Sequence, residues 1–154
     1  VSAGLHGIEL LRGLALGQLT EAERLAVAER VRCYLAQAHT GLSLEEAFGL
    51  SVGPGGEPWY TRDRRVRRDG ELRALVRRFG APDRSLRDRA LWLQHLVRRY
   101  EANAWPRDRS ASEMPEHYLG TEREYLYRAF AACTVPTSEK QLWNILKGDA
   151  EFAS

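Results

Sequence analysis

Along most of the chain apolar residues return every three or four positions, the period of a helix with one face turned inward. Leu72, Leu75, Val76 and Phe79 follow Asp69 at this spacing, and Gly80-Ala81-Pro82 supplies a stop. Leu86, Ala90, Leu93, Val97 and Tyr100 form the stripe of the longest predicted helix, opened by Ser85-Leu86-Arg87-Asp88. Upstream, Val27, Val31, Tyr34 and Ala38 make a similar stripe between Thr20-Glu21-Ala22-Glu23 and Gly41. That opening has the capping-box form, in which a hydroxyl and a carboxylate satisfy two orphan N–H groups of the first turn. Ser43-Leu44-Glu45-Glu46 repeats it before a short helix ending near Gly49. Leu5, Ile8, Leu11 and Leu14 predict a first helix, weakened by Gly4, Gly7 and Gly13.

Toward the end of the chain, Thr121-Glu122-Arg123-Glu124 caps a helix carrying Leu126, Ala129, Phe130 and Cys133. Pro136 breaks it, and Ser138-Glu139-Lys140-Gln141 opens a last helix with Leu142, Ile145 and Leu146, stopped by Gly148. Residues 51–61 and 104–119, rich in Gly or Pro, read as loops. Strand alternation is nearly absent. The pattern predicts an all-α fold: a compact bundle of six to seven helices with a helix-turn-helix-like C-terminal pair. One domain over 1–148, a hinge candidate at 51–61 and a frayed tail at 149–154 complete it. Leu75, Phe79, Leu93, Val97, Leu126, Phe130, Leu142 and Ile145 lie mid-stripe and form the expected core.

The chain has 154 residues, 44% hydrophobic and 29% charged, which argues against wholesale disorder and against a membrane protein. No apolar run approaches the roughly 18 residues of a membrane span. Leu5 to Leu19 is apolar but interrupted by Glu9 and glycines, with no basic segment before it, so no signal peptide is read there. The first residue is Val1 rather than Met, so the native start is expected to be missing or processed. Cys33 and Cys133 both fall on predicted apolar faces, where free cysteine packs as a small hydrophobe. A reduced, cytoplasmic setting is the expectation.

Charge is unevenly spread. Residues 1–61 carry 4 Arg against 7 acids (net −3), residues 62–109 carry 15 Arg against 7 acids (net +8), and residues 110–154 carry 2 Arg and 2 Lys against 7 acids (net −3). Of 23 basic residues only Lys140 and Lys147 are lysines, which, with the abundant Ala, Leu and Gly, suggests a GC-rich bacterial genome.

Catalytic chemistry is not assembled by these residues. His6, His39, His95 and His117 are scattered and form no metal-ligand spacing. Gly53-Pro54-Gly55-Gly56 lacks the Lys-Ser/Thr of a phosphate-binding loop. Glu45-Glu46 lies where a helix N-terminus already favours anions. No nucleophile, base and orienting group converge, so the chain reads as a non-enzyme with no cofactor and no metal.

The basic middle carries more. Trp59 and Tyr60 directly precede Arg62, Arg64, Arg65, Arg67 and Arg68 in what reads as a loop. Guanidinium forks match phosphate oxygens, and aromatic faces stack on bases. Arg73, Arg77 and Arg78, then Arg84, Arg87, Arg98 and Arg99, continue the charge onto two helices. On the last helix, burying Leu142 and Ile145 leaves Lys140, Gln141, Asn144 and Lys147 outward, types that reach phosphates or read base edges. Any two short antiparallel helices share this outline, and the break carries Pro136 rather than a turn glycine. The expected function is that of a bacterial DNA-binding or DNA-associated accessory protein. The alternative is a non-catalytic interaction module, an adaptor or homodimer, whose basic surface meets an acidic partner.

The run Gly120-Thr121-Glu122-Arg123-Glu124, followed by Val135-Pro136-Thr137-Ser138-Glu139-Lys140-Gln141-Leu142-Trp143-Asn144-Ile145-Leu146, resembles the ends of uncharacterised helical proteins from bacterial mobile elements. The similar stretch covers roughly 85–147, through Arg98-Arg99-Tyr100 and Trp105-Pro106-Arg107. The resemblance implies a proteobacterial, horizontally transferred setting and a link to DNA, and it carries over no catalytic residue.

Overall fold

A computed structural model describes residues 3–149, with side chains from residue 7 onward. The protein is all-α. The helices are α1 (Ala3–Leu16), α2 (Glu21–Gln37), α3 (Leu44–Ala47), α4 (Trp59–Phe79), α5 (Leu86–Asn103), α6 (Trp105–Asp108), α7 (Glu122–Ala132) and α8 (Glu139–Lys147). Single 3-10 turns at Ala38–Thr40 and Glu116–Tyr118 join them, and the described residues contain no strand. Sequence signals account for most of the starts. Thr20 and Ser43 form complete capping boxes with Glu23 and Glu46, and Ser85 and Ser138 accept from the N–H groups of Asp88 and Gln141. Thr121 does not cap as expected. Its hydroxyl donates to the Tyr118 carbonyl at 2.7 Å, while Glu124 reaches back to the Gly120 N–H at 2.6 Å.

The chain divides into two compact units, Val1–Arg62 and Asp63–Ser154, where the hydrophobic pattern reads as one domain over 1–148. The expected hinge, 51–61, lies just before this division. The expected tail lies outside the described residues from 150 onward.

Unit 1 has a small core of Ile8, Leu10, Leu19, Val27, Phe48 and Leu50, with Leu11, Ala26, Ala47 and Trp59 against it. Gly7 and Gly13 of α1 are close-packing positions: a Cβ on Gly7 would meet the Phe48 carbonyl oxygen at 2.1 Å, and one on Gly13 the Leu19 side chain at 2.5 Å. The predicted stripes hold only in part here. Leu10 rather than Leu14 is buried on α1, and Val27 is the one buried residue of α2, with Val31 and Ala38 exposed and Tyr34 half-buried. Cys33 is exposed too, so it does not pack as a core residue.

Unit 2 holds the larger core. Leu72, Leu75, Val76, Ala90, Leu93, Val97, Tyr100, Tyr118, Leu126, Ala129, Phe130, Leu142, Ile145 and Leu146 are buried together, and Phe79 packs against them. Seven of the eight residues of the expected core are buried here, and the eighth, Phe79, is half-buried against them. α5 is its centre and packs most extensively on α8.

The arginine-rich stretch is not a loop. α4 starts at Trp59, ten residues before Asp69, so all five arginines of 62–68 are helical. Arginine is a good helix former, and the carbonyl of Pro58 accepts the first-turn N–H groups of Thr61 and Arg62. No apolar stripe announces this half, because its one aliphatic residue, Val66, is 48% exposed. The 104–119 loop likewise contains α6, whose second residue, Pro106, suits a helix start.

Candidate nucleic-acid interface

On α4 the arginines fall into two groups. Arg64 Nε donates to the Ala132 carbonyl at 2.6 Å and Arg68 Nη1 to the Thr134 carbonyl at 2.8 Å. Arg68 also pairs with Asp69 at 2.7 Å, and its side chain is only 13% exposed. Further along, Arg73 Nε donates to the Ile145 carbonyl at 2.8 Å, and Arg77 pairs with Asp149. These carbonyls lie at the ends of α7 and α8, where the last backbone acceptors lack helical partners and the helix dipole is negative. This group of arginines thus ties α4 to α7 and α8. Arg68 in particular is turned inward, away from any ligand.

Arg62, Arg65 and Arg67 form the outward group; all three are exposed, and Arg67 makes only a 4.0 Å approach to Asp63. Of the two expected stacking residues, Trp59 is committed to unit 1. Its ring packs on that core, and Nε1–H donates to Glu45 Oε1 at 3.0 Å. Tyr60 is 52% exposed, with its ring edge-on to Trp59.

α8 is the most amphipathic helix of unit 2. Leu142, Ile145 and Leu146 are buried, while Lys140, Gln141, Asn144 and Lys147 are all exposed. Gln141 Oε1 accepts from the Ser138 hydroxyl at 2.9 Å, which leaves its amide N–H2 group outward. Trp143 is half-buried against the core, and Lys147 Nζ sits 4.7 Å from its ring centroid. A helix-turn-helix is not evident in this arrangement. Six residues, 133–138, separate α7 from α8, and α8 packs chiefly on α5.

One polar cluster was not foreseen. Asp108 is buried, and its carboxylate accepts from the hydroxyls of Tyr100 and Tyr118 at 2.9 and 2.8 Å and from Arg107 Nε at 3.2 Å. Burial pushes its pKa up, but the two hydroxyls and the guanidinium outweigh it, so the carboxyl stays below its ordinary range. Burial, then the bond to Asp108, pushes the Tyr100 hydroxyl well up. All carboxylate contacts are internal, so the cluster is a structural knot joining α5, α6 and the 116–118 turn. The sequence signal for it, Trp105-Pro106-Arg107-Asp108, sits inside a stretch that reads as loop.

His39, His95 and His117 are exposed and separate, and His6 lies outside the described side chains. Among the described residues no three His, Cys, Asp or Glu side chains gather as metal ligands do. No helix among them is long and apolar enough to cross a membrane. No protein-family model, curated protein or solved structure matches the chain.

Proposed function

We propose that unit 2 binds nucleic acid through the outward face of α8, in a DNA-associated accessory role of bacterial type. The observation that carries the reading is the exposed set Lys140, Gln141, Asn144 and Lys147, on a helix whose other side is held rigidly by the core. The chain's only two lysines both belong to it. Lysine supplies phosphate contact, and side-chain amides can pair with adenine edges. Arg65 and Arg67 add exposed positive charge on the part of α4 that belongs to unit 2. The reading needs α8 as a surface helix and does not need a helix-turn-helix.

Fluorescence anisotropy of labelled duplex DNA and single-stranded RNA with the whole chain, across salt concentrations, tests it. Binding is expected to weaken steeply with salt. Lys140→Gln with Lys147→Gln should flatten the slope of log K against log salt by about 0.9 per lost duplex contact. Gln141→Ala or Asn144→Ala should change which duplexes bind. No binding of any nucleic acid at low salt overturns the reading. So does tighter binding of an acidic polypeptide such as polyglutamate, which would favour a protein-interaction module instead.

A further inference from the structure

Unit 1 leaves an unusual amount of apolar surface open. Leu14, Leu25, Val31 and Leu35 are 52, 59, 36 and 70% exposed, and Leu14, Leu19, Val27, Ala28 and Val31 line an open groove of 590 Å³ along α1 and α2, with Arg24 and Arg32 on its wall. Scattered exposed leucines are ordinary, but a contiguous apolar face marks an interaction site.

The exposed side of α2 also carries a register. Glu21, Leu25, Ala28, Arg32 and Leu35 are all exposed and recur at alternating steps of four and three, the seam spacing of a coiled coil. A parallel copy would set Glu21 against Glu21 and Arg32 against Arg32. An antiparallel copy centred between Ala26 and Val27 sets Glu21 against Arg32 and Leu25 against the small Ala28. By two-fold symmetry each contact occurs twice. Within one chain Glu21 approaches Arg24 at 3.9 Å, while Arg32 pairs with Glu29 at 3.1 Å and donates from Nε to the Ala28 carbonyl at 3.3 Å. All of these contacts lie at the surface, where a partner's charge can compete with them.

We infer that the exposed α2 seam is a homodimer interface, in which two copies of this chain pair their α2 helices antiparallel. The seam charges set the orientation, and Leu25 of each copy packs over Ala28 of the other beside the α1–α2 groove. A 62-residue unit with so few buried side chains gains from this the apolar burial it cannot build alone. The inference goes beyond nucleic-acid binding and does not depend on it, since every residue involved lies in unit 1.

Sedimentation equilibrium of the whole chain is expected to show a monomer–dimer equilibrium in the micromolar range. Arg32→Glu places two carboxylates in register and should weaken the dimer roughly tenfold or more, as should Glu21→Arg. The double variant Glu21→Arg/Arg32→Glu restores opposite charges and should recover most of the wild-type affinity. Leu25→Lys should give a monomer with unchanged helical circular dichroism, because Leu25 is exposed in the single chain. A wild-type chain that stays monomeric at hundreds of micromolar overturns the inference. A double variant weaker than either single one overturns the antiparallel seam. DNA binding, read separately through Lys140 and Lys147, succeeds or fails independently of these variants.

Discussion

Units 1 and 2 are built from the same kind of helix, yet they use it differently. α5 in unit 2 has Ala90, Leu93, Val97 and Tyr100 buried on one stripe, covered by α7, α8 and the 116–118 turn. α2 in unit 1, almost as long and opened by a complete capping box, buries Val27 alone. The difference is already present in the two sequences: on α5 the apolar residues gather on one side, whereas on α2 they are scattered around the helix. Periodicity reports that a face exists; only neighbouring helices cover it. The comparison also separates two uses of arginine. In unit 2, Arg64, Arg68 and Arg73 end on backbone carbonyls, as Arg30 of unit 1 does on the Phe48 carbonyl, whereas Arg24 makes an exposed ion pair within its own helix.

The sharpest way to break this contrast is at leucine. Leu93→Ala removes a fully buried side chain and should cost roughly 2–5 kcal/mol in denaturant unfolding. Leu16→Ala, at a position 69% exposed, should stay within about 0.5 kcal/mol. Equal costs would mean that Leu16 of unit 1 is covered as fully as Leu93 of unit 2.

Next in size is the Asp108 knot. Asp108→Asn should destabilise the chain by roughly 2–4 kcal/mol at neutral pH, since it weakens three charge-assisted bonds in a buried place. The folded carboxyl titrates below its unfolded value of 3.8. Its contribution is therefore fully present above about pH 3.8 and is lost as pH falls through the lower folded value. Tyr100 has the opposite sign: with its folded value raised above 10.0, its contribution holds below that pH and is lost as pH rises further. Thermal melts of wild type and Asp108→Asn across pH should show the acid limb shrinking in the variant.

A smaller effect separates the two arginine groups. Arg68→Gln should lower stability by about 1–2 kcal/mol through the lost bonds to the Thr134 carbonyl and Asp69, whereas Arg62→Gln should leave the melting temperature unchanged. If both were silent, the ties from α4 to the end of α7 would not matter. Smallest and opposite in sign is Gly70→Ala. The position is mid-helix in α4 with no atom within 4 Å of an added Cβ, so alanine should stabilise by roughly 0.5–1 kcal/mol and raise the melting temperature.

Read from the residues alone, the fold class, most helix starts and the whole expected core of unit 2 were legible. Serine and threonine caps, glycine stops and apolar spacing act within a few residues of chain. Legible too was the outward set on α8, because Leu142 and Ile145 force Lys140, Gln141, Asn144 and Lys147 to the other side. What the tertiary structure decided was longer in range. The first half of α4 is helical although it has no apolar stripe, and its arginines reach carbonyls more than sixty residues away. Trp59 joins a core instead of standing free, and Asp108 is buried where Tyr100 of α5 and Tyr118 of the 116–118 turn meet it. Above all, which residue of α2 is covered was decided in three dimensions: of its predicted stripe Val27 is buried and Val31 is exposed. Burial depends on what arrives beside a face, and spacing along the chain does not say which residue that will cover.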